Sequence, residues 1–315
     1  MPHDLSRRQI LTTLGATGLL AASSPASVVA ASAARPSRTR LLRLAHLTDI
    51  HVQPEKGGGE GMAACLRHVQ TAYSGADKPE FILFGGDNLM NVDSKGGAER
   101  ASMQLDLWKS VLKNECSLPH QIAIGNHDVL RNDPVDGKKW AVDAFGLPGR
   151  YYAFDRGGWR FLVLDSTSPE AGGYKGRIDA EQLQWIKDTL AATPATTPVC
   201  VLSHIPILGV CVFFDGDLIK SGNWQVPGSW MHVDAKILKD IFFQHKNVKL
   251  CLSGHIHLAD IAEYLGVKYA CNGAVSGAWW GGSYHEFAPG YALVDLYDDG
   301  SSEVQFVNYG WEPRP

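Results

Sequence analysis

The chain has 315 residues, of which 45% are hydrophobic, a length and composition that allow one large α/β domain or two small ones. Its 29 lysine and arginine residues against 33 aspartate and glutamate residues give a net charge of -4 at pH 7. No basic field therefore favours binding to nucleic acid, and we expect a small or neutral-surface substrate instead.

The first 33 residues have the features of an export signal. A twin-arginine pattern at residues 6–11 (SRRQIL) precedes an uncharged stretch to Ala30 and a small-residue segment over 31–33. We expect the twin-arginine export machinery to deliver the protein to the periplasm or beyond, with a linker over residues 34–40 and one domain over 41–315. An uncleaved anchor is the alternative, but glycine, serine, threonine and proline make the stretch weakly apolar, so we expect no stable membrane anchor.

Short β-prone runs alternate with helical patterns in the first part of the mature chain. The predicted elements are a strand ending near residue 47, a helix over 62–73, a strand over 81–84, a helix over 98–113 and a strand over 121–124. This β-α-β-α-β order is typical of parallel strands joined by crossovers.

The second part of the chain predicts another sheet. Its elements are a hairpin over 151–154 and 159–164, a helix over 179–190 capped by Asp179, and strands over 199–202, 247–252, 261–264, 267–270, 291–297 and 304–308. We predict an α/β fold in which a double β-sheet sandwich is flanked by helices. The long connection over residues 205–233 either lines a site or is a surface excursion pinned by its own aromatic residues.

Five of the predicted strands end in side chains that bind metals, at the edge where α/β sheets keep their chemistry. The segments are LAHLTDIH (44–51), FILFGGDN (81–88), QIAIGNHD (121–128), VCVLSH (199–204) and VKLCLSGHIH (248–257). Two metal ions need a bridging carboxylate, neutral imidazoles and oxygen donors. We assign Asp49, His51 and His257 to one ion, Asn126, His204 and His255 to the other, and Asp87 as the bridge.

In this order, the Asp-x-His, Gly-Asp-Asn, Gly-Asn-His-Asp, lone strand-end His and Gly-His-x-His motifs resemble those of the calcineurin-like metallophosphoesterases. The resemblance covers residues 45–257 and implies a helix-flanked double β-sandwich with the ligands just given. It also implies two ions, for which ligands of mixed nitrogen and oxygen type suit Fe, Mn or Zn.

His127 is not a metal ligand in this family. The resemblance implies that it contacts the phosphoryl oxygens and helps to protonate the leaving group, with Asp128 orienting its imidazole. The implied reaction is hydrolysis of a phosphoester by attack of a hydroxide that bridges the ions. A metal-binding module without turnover is the competing hypothesis, and it predicts no role for His127.

The substrate is the least defined part of the prediction. The motifs are closer to cyclic nucleotide phosphodiesterases and glycerophosphodiesterases than to purple acid phosphatases, so we expect a phosphodiesterase acting on a small organic phosphate. A phosphomonoesterase and a nuclease are alternatives. We place Asn88, Asn126, His127, Trp279 and Trp280 among the candidate substrate contacts, although the two tryptophans could instead form a hydrophobic plug.

The remaining histidines and the cysteines are not assigned to the site. We expect His46 to be a packed or hydrogen-bonded sheet residue and leave His232 and His285 open. The six cysteines are expected to be free buried thiols, with Cys211 the first candidate for an exception, and whether any of them form disulfides is left open. The oligomeric state is left open.

Overall fold

The computed structural model describes residues 38–93, 96–130 and 136–313, which fall within one compact unit, Arg38–Pro315. The predicted export signal lies outside the described residues. Within the described part of the chain, no helix combines the length and the apolar character that crossing a membrane requires.

In the part of the unit that the structure describes, there are five α-helices and fifteen strands. The helices are α1 (Gly58–Thr71), α2 (Gly97–Glu115), α3 (Asp136–Phe145), α4 (Ala180–Ala192) and α5 (Ala235–Gln244). The strands are β1 (Arg40–Leu47), β2 (Phe81–Phe84), β3 (His120–Ile122), β4 (Tyr152–Arg156), β5 (Trp159–Leu164), β6 (Thr167–Glu170), β7 (Gly173–Gly176), β8 (Val199–Ser203), β9 (Ile219–Lys220), β10 (Asn223–Trp224), β11 (Val248–Ser253), β12 (Asp260–Tyr264), β13 (Val267–Cys271), β14 (Gly290–Tyr297) and β15 (Ser302–Asn308).

Two large sheets organise these strands. The first has the order β15-β14-β1-β2-β3, in which β1, β2 and β3 are parallel and the last two strands of the chain add on in antiparallel fashion. The second has the order β12-β13-β11-β8-β5-β4, with β5, β8, β11 and β13 parallel. Two small hairpins, β6-β7 and β9-β10, lie outside both sheets.

The sheets pack face to face because alternate residues of each strand point to opposite sides. Leu44, Leu83 and Val294 of the first sheet share one buried cluster with Phe161 and Leu202 of the second. The intervening residues point outward to the helices. This confirms the predicted double β-sheet sandwich.

Helices cover the two outer faces of the sandwich. Leu47 of β1 belongs to the same buried cluster as Leu66 of α1. On the other side, Val201 of β8 is clustered with Ile186 of α4 and Leu238 of α5. Asp179 caps α4 as predicted, since its carboxylate accepts a 2.9 Å hydrogen bond from the backbone N–H of Gln182.

Every strand that the sequence predicted is present, with ends that shift by one or two residues. The sequence reasoning missed α3, α5 and the hairpins β6-β7 and β9-β10. The hairpin strands are only two to four residues long, too short to carry an alternating pattern.

Candidate metal centre

The parallel strands of the first sheet place their carboxyl ends side by side. Asp49 and His51 follow β1, and Asp87 follows β2. The loops are joined by backbone hydrogen bonds, from the Asp49 N–H to the Gly86 carbonyl at 3.0 Å and from the His51 N–H to the Asp87 carbonyl at 2.9 Å. Asn126, which follows β3, extends the same edge.

The second sheet brings His204 after β8 and His255 and His257 after β11 to the same place. The loops of the two sheets meet at Gly254, where an added Cβ would lie 2.0 Å from the Thr48 hydroxyl oxygen. Only glycine allows this approach. The N–H of His255 then donates to the Asp49 carboxylate at 2.8 Å.

Three side chains form a first donor cluster. Asp49 Oδ1 lies 3.4 Å from His257 Nε2 and 3.8 Å from His51 Nε2. The two imidazole nitrogens lie 3.1 Å apart. These three side chains form a group that could hold one metal ion.

Asp87 joins this cluster to a second one. Its Oδ2 atom lies 3.7 Å from His51 Nε2 and 3.3 Å from His204 Nε2. His255 completes the second cluster, in which all three ligand atoms lie within 4.8 Å of one another. The Asn126 amide oxygen lies 3.2 Å from His204 Nε2. Asp87 is therefore placed between the two clusters, as a bridging carboxylate would be.

The hydrogen bonds around the cluster orient the imidazoles as metal ligands. Carbonyl groups of Gly85, Gly277 and Ser229 lie 2.7–2.9 Å from the outward ring nitrogens of His204, His257 and His255. A ring that donates on its outer side turns a lone pair inward. Asp49 Oδ1 is buried with no hydrogen-bond partner. These donors fit a metal ion, which would satisfy the orphaned oxygen.

The electrostatics of the site also suit cations. Burial raises the pKa of Asp49, but His204 and His257 outweigh it and hold that pKa well below its usual range. Burial lowers the pKa of His204, but Asp87 and Asp49 raise it to about 9. His255 is neutral at pH 7, because burial and the neighbouring His204 lower its pKa to about 3. The carboxylates therefore create an excess of negative charge that bound cations would neutralise.

The backbone is strained at the cluster. Five residues have positive φ angles: Asp49 (55°), His51 (48°), Asp87 (51°), His255 (73°) and His257 (63°). A side chain in this left-handed region costs about 1–3 kcal/mol, and such residues collect at functional sites. The packing of the surrounding sheets holds these five residues in backbone conformations that an isolated loop would not keep.

His127 lies at the edge of the cluster with 28% of its side chain exposed. Its Nε2 atom is 3.9 Å from Asp87 Oδ2, and its other ring nitrogen contacts the carbonyl of Met90. Its own backbone N–H donates to Asp87 at 2.8 Å. The ring is therefore held next to the cluster with Nε2 directed inward.

The prediction that Asp128 orients the His127 ring is wrong. The Asp128 carboxylate accepts hydrogen bonds from the backbone N–H groups of Gly125, Asn88 and Leu89 at 3.0–3.2 Å. Burial and Asp87 raise its pKa to about 6, and the backbone donors oppose this shift. The 3-10 turn that contains both residues directs the two side chains apart, so Asp128 ties the loops together.

The expectation that Asn88 contacts the substrate is also wrong. Its side chain is fully buried, and its amide donates to the carbonyl of Ala123 at 3.2 Å and to Asp128 at 3.0 Å. Asn88 thus belongs to the same network that joins the loops after β2 and β3.

Trp279 and Trp280 have opposite environments. The Trp279 ring centroid lies 4.5 Å from that of His257, which places the indole beside the cluster. Trp280 is 1% exposed, packs in the helix-side core and donates from its indole N–H to the His51 carbonyl at 3.0 Å. The plug interpretation is correct for Trp280, which is not a substrate contact.

A cavity of about 170 Å³ opens over the cluster. Its lining comprises His51, Asp87, His127, His255, His257, Ile256, Tyr174, Asp215, Trp230, Trp279 and Tyr284. The connection over residues 205–233 therefore lines the site through Asp215 and Trp230. The sequence reasoning missed Tyr174, Asp215 and Tyr284, and the length of that connection was the only signal for any of them.

His46, His232 and His285 do not line the cavity. His46 is buried in β1 and contacts the amide of Asn272 at 2.6 Å, as predicted for a sheet residue. His232 is buried between the Ser203 hydroxyl and the Asp234 carboxylate, at 3.1 and 2.9 Å. His285 is exposed. All six cysteines, including Cys211, are free thiols in the structure.

Comparison with known proteins agrees with this geometry. The sequence model of the calcineurin-like phosphoesterase family matches residues 42–259. A protein of Synechococcus sp. named "probable cyclic nucleotide phosphodiesterase" is 26% identical over 227 residues, which are 70% of this chain and 75% of that protein. A 3',5'-cyclic-nucleotide phosphodiesterase of Nostoc sp. is 25% identical over 199 residues, 61% of this chain and 66% of that protein.

A solved structure supports the fold assignment. A dimetal phosphatase from Danio rerio superposes with a TM-score of 0.59 at 13% identity, over 86% of this chain and 100% of that one. At this identity the likeness concerns the fold alone. Because the family match extends over more than half of the sequence and contains every residue of the two donor clusters, the chain belongs to the calcineurin-like phosphoesterases, a family of metal-dependent phosphoester hydrolases with a dinuclear metal centre.

Proposed function

We propose that the chain hydrolyses small phosphodiesters at two metal ions bound by the donor clusters. The observation that carries the proposal is the position of Asp87 between them, 3.7 Å from His51 Nε2 and 3.3 Å from His204 Nε2. Asp49, His51 and His257 would bind one ion, and Asn126, His204 and His255 the other. Fe, Mn and Zn all suit such mixed nitrogen and oxygen ligands.

The protein and the ions have separate tasks in this reaction. When bound, the ion pair would activate a water molecule as nucleophile and neutralise charge on the phosphoryl oxygens. His127 would transfer a proton to the leaving oxygen, because Nε2 faces the cavity while the Met90 carbonyl fixes the other ring nitrogen. The Met90 carbonyl, and not the Asp128 carboxylate, would orient the ring for this step.

The size of the cavity and the named relatives support a small diester. At about 170 Å³ the cavity is smaller than the ~300–1,000 Å³ pockets that enclose drug-sized ligands. The net charge of -4 gives no reason to expect a nucleic acid substrate. The names of the two bacterial relatives point to phosphodiester chemistry.

The test is turnover by metal-quantified protein loaded with Mn or with Fe and Zn. We expect faster hydrolysis of bis-p-nitrophenyl phosphate than of p-nitrophenyl phosphate. The reverse order would indicate a phosphomonoesterase, and cleavage of single-stranded DNA would indicate a nuclease. Fully loaded protein that hydrolyses none of these would instead be a metal-binding module, and the proposal would fail.

We also propose export by the twin-arginine route, which rests on the sequence of residues 6–11 and 31–33 alone. Replacing Arg7 and Arg8 together by lysine should retain the full-length protein inside the cell, as measured by cell fractionation. Unchanged export of that variant would contradict the proposal.

A further inference from the structure

Besides the donor residues, His127 and Ile256, the cavity lining contains four aromatic side chains and one carboxylate. We call this set the aromatic wall: Tyr174, Trp230, Trp279, Tyr284 and Asp215. Neither the proposed metal ligands nor the proton transfer by His127 uses any of these residues. A substrate that reaches the clusters must nevertheless pass along them, because the cavity is small and lined by both sets.

Two rings of the aromatic wall stand nearly perpendicular to each other next to the cluster. The Trp279 and Tyr284 centroids are 5.4 Å apart with an interplanar angle of 83°. Tyr284 also lies 5.5 Å from the ring of His257. Aromatic rings that border a small cavity are the groups with which proteins bind quaternary ammonium ligands.

Asp215 adds a negative charge to this wall. Its Oδ1 atom accepts a 2.6 Å hydrogen bond from the Tyr284 hydroxyl, which joins the long connection to the loop between β13 and β14. Among the described residues that line the cavity, none is a lysine or an arginine. No lysine or arginine of the described cavity lining therefore neutralises this carboxylate.

The carboxylates of the donor clusters and the carboxylate of the aromatic wall differ in whether the metal ions would neutralise them. Asp49 and Asp87 belong to the donor clusters and would be neutralised by the ions, whereas Asp215 stands outside both clusters. A second anionic group on the substrate would be repelled at Asp215, and a cationic group would be attracted there. The aromatic rings favour the same sign of charge.

We propose that the substrates are phosphodiesters in which one ester arm carries an ammonium group, of the choline or ethanolamine type, bound between Asp215 and the rings of Trp279 and Tyr284. This inference rests on the proposed diesterase function and specifies its substrate class. In the reaction the bond from phosphorus to one alcohol oxygen breaks, water supplies the new oxygen on phosphorus, and a proton passes to the alcohol. A compact amino alcohol suits a cavity of about 170 Å³.

The test compares p-nitrophenyl phosphorylcholine with its uncharged carbon isostere, p-nitrophenyl 3,3-dimethylbutyl phosphate. Both release the same phenol and differ only in the charge of the other arm. We expect the wild-type, metal-loaded protein to prefer the choline ester by about tenfold in kcat/KM, since cation–π contacts and a nearby carboxylate contribute about 1–2 kcal/mol. Equal rates would overturn the inference and leave the diesterase function intact.

Two variants test whether Asp215 causes the preference for the choline ester. Asp215→Asn retains an acceptor for the Tyr284 hydroxyl but removes the charge, so the ratio of the two rates should fall to about 3 or less. Asp217→Asn removes a charge from an exposed position of the same connection and should leave the ratio unchanged. A ratio that is insensitive to Asp215→Asn would also contradict the inference.

A binding measurement separates recognition from turnover. Titration with tetramethylammonium, followed by tryptophan fluorescence, should saturate for the wild type and for Asp217→Asn, and should be lost or shifted at least about tenfold for Asp215→Asn. Saturable binding that survives Asp215→Asn would place the ammonium site elsewhere. If neither nitrophenyl ester is hydrolysed by fully loaded protein while binding is retained, the diesterase function fails and the ammonium site stands.

Discussion

The two walls of the cavity are built in different ways. The donor clusters come from residues directly after parallel strands, and five of them are fixed in left-handed backbone conformations. The aromatic wall comes from a hairpin and two loops, and its members are positioned by contacts between side chains, such as the hydroxyl of Tyr284 on Asp215. The backbone therefore fixes the reactive groups, while tertiary contacts between loops determine which substrate arm can enter.

The largest effect on activity is expected for a substitution in the donor clusters. Asp87→Asn should lower kcat/KM by about 10⁴-fold, because a lost bridging carboxylate removes several kcal/mol of charge stabilisation supplied by the ions. Elemental analysis should show that both ions are depleted together. Asp217→Asn is the matched control, since it removes a carboxylate outside the cavity lining. Loss of a single ion would contradict the bridging role.

The two adjacent tryptophans are expected to differ in their contributions to stability and to substrate binding. Trp280→Ala should lower the free energy of unfolding by about 3–5 kcal/mol, because it leaves a cavity in the core and removes a hydrogen bond to the His51 carbonyl. Trp279→Ala should cost less than about 1 kcal/mol, since its ring is partly exposed, and should raise KM. Urea unfolding measures the difference. Equal destabilisation would mean that Trp279 is also a core residue.

The next prediction concerns His127, which is proposed to donate a proton to the leaving group and not to bind a metal ion. His127→Ala should lower kcat by about 10²-fold for an alkyl leaving group while metal content stays at the wild-type level. The loss should be much smaller for p-nitrophenolate, which leaves without a proton. Rates for the two classes of ester, measured on metal-quantified protein, distinguish a proton donor from a metal ligand. A uniform loss accompanied by depletion of an ion would assign His127 to the metal centre.

The clusters could be predicted from sequence because strand ends are local features. Each ligand lies within four residues of a strand end, and parallel strands share an edge, so the convergence of Asp49, Asp87 and His204 follows from the strand pattern. Gly254 is also explained by its local position, because the loop passes so close to Thr48 that residue 254 has no room for a side chain.

The roles of the other site residues could not be predicted, because they depend on side-chain directions that do not follow from the order of residues in the sequence. Asp128 follows His127 directly, but the turn directs its carboxylate to backbone donors of another loop. Trp279 is half-buried, whereas its neighbour Trp280 is fully buried. Tyr284 could not be identified, because its role depends on Asp215, which lies 69 positions earlier in the chain.

The smallest predicted effect concerns the contact that joins the two loops of the aromatic wall. Tyr284→Phe keeps the ring next to His257 and removes the hydroxyl that donates to Asp215, so the carboxylate loses an anchor worth about 1 kcal/mol. KM for p-nitrophenyl phosphorylcholine should rise about fivefold, with kcat changed by less than about twofold, because the donor clusters are untouched. Tyr264→Phe, on the exposed edge strand β12, is the matched control. If kcat fell and KM did not, Tyr284 would act on the reacting atoms, and the division of labour between the two walls would be wrong.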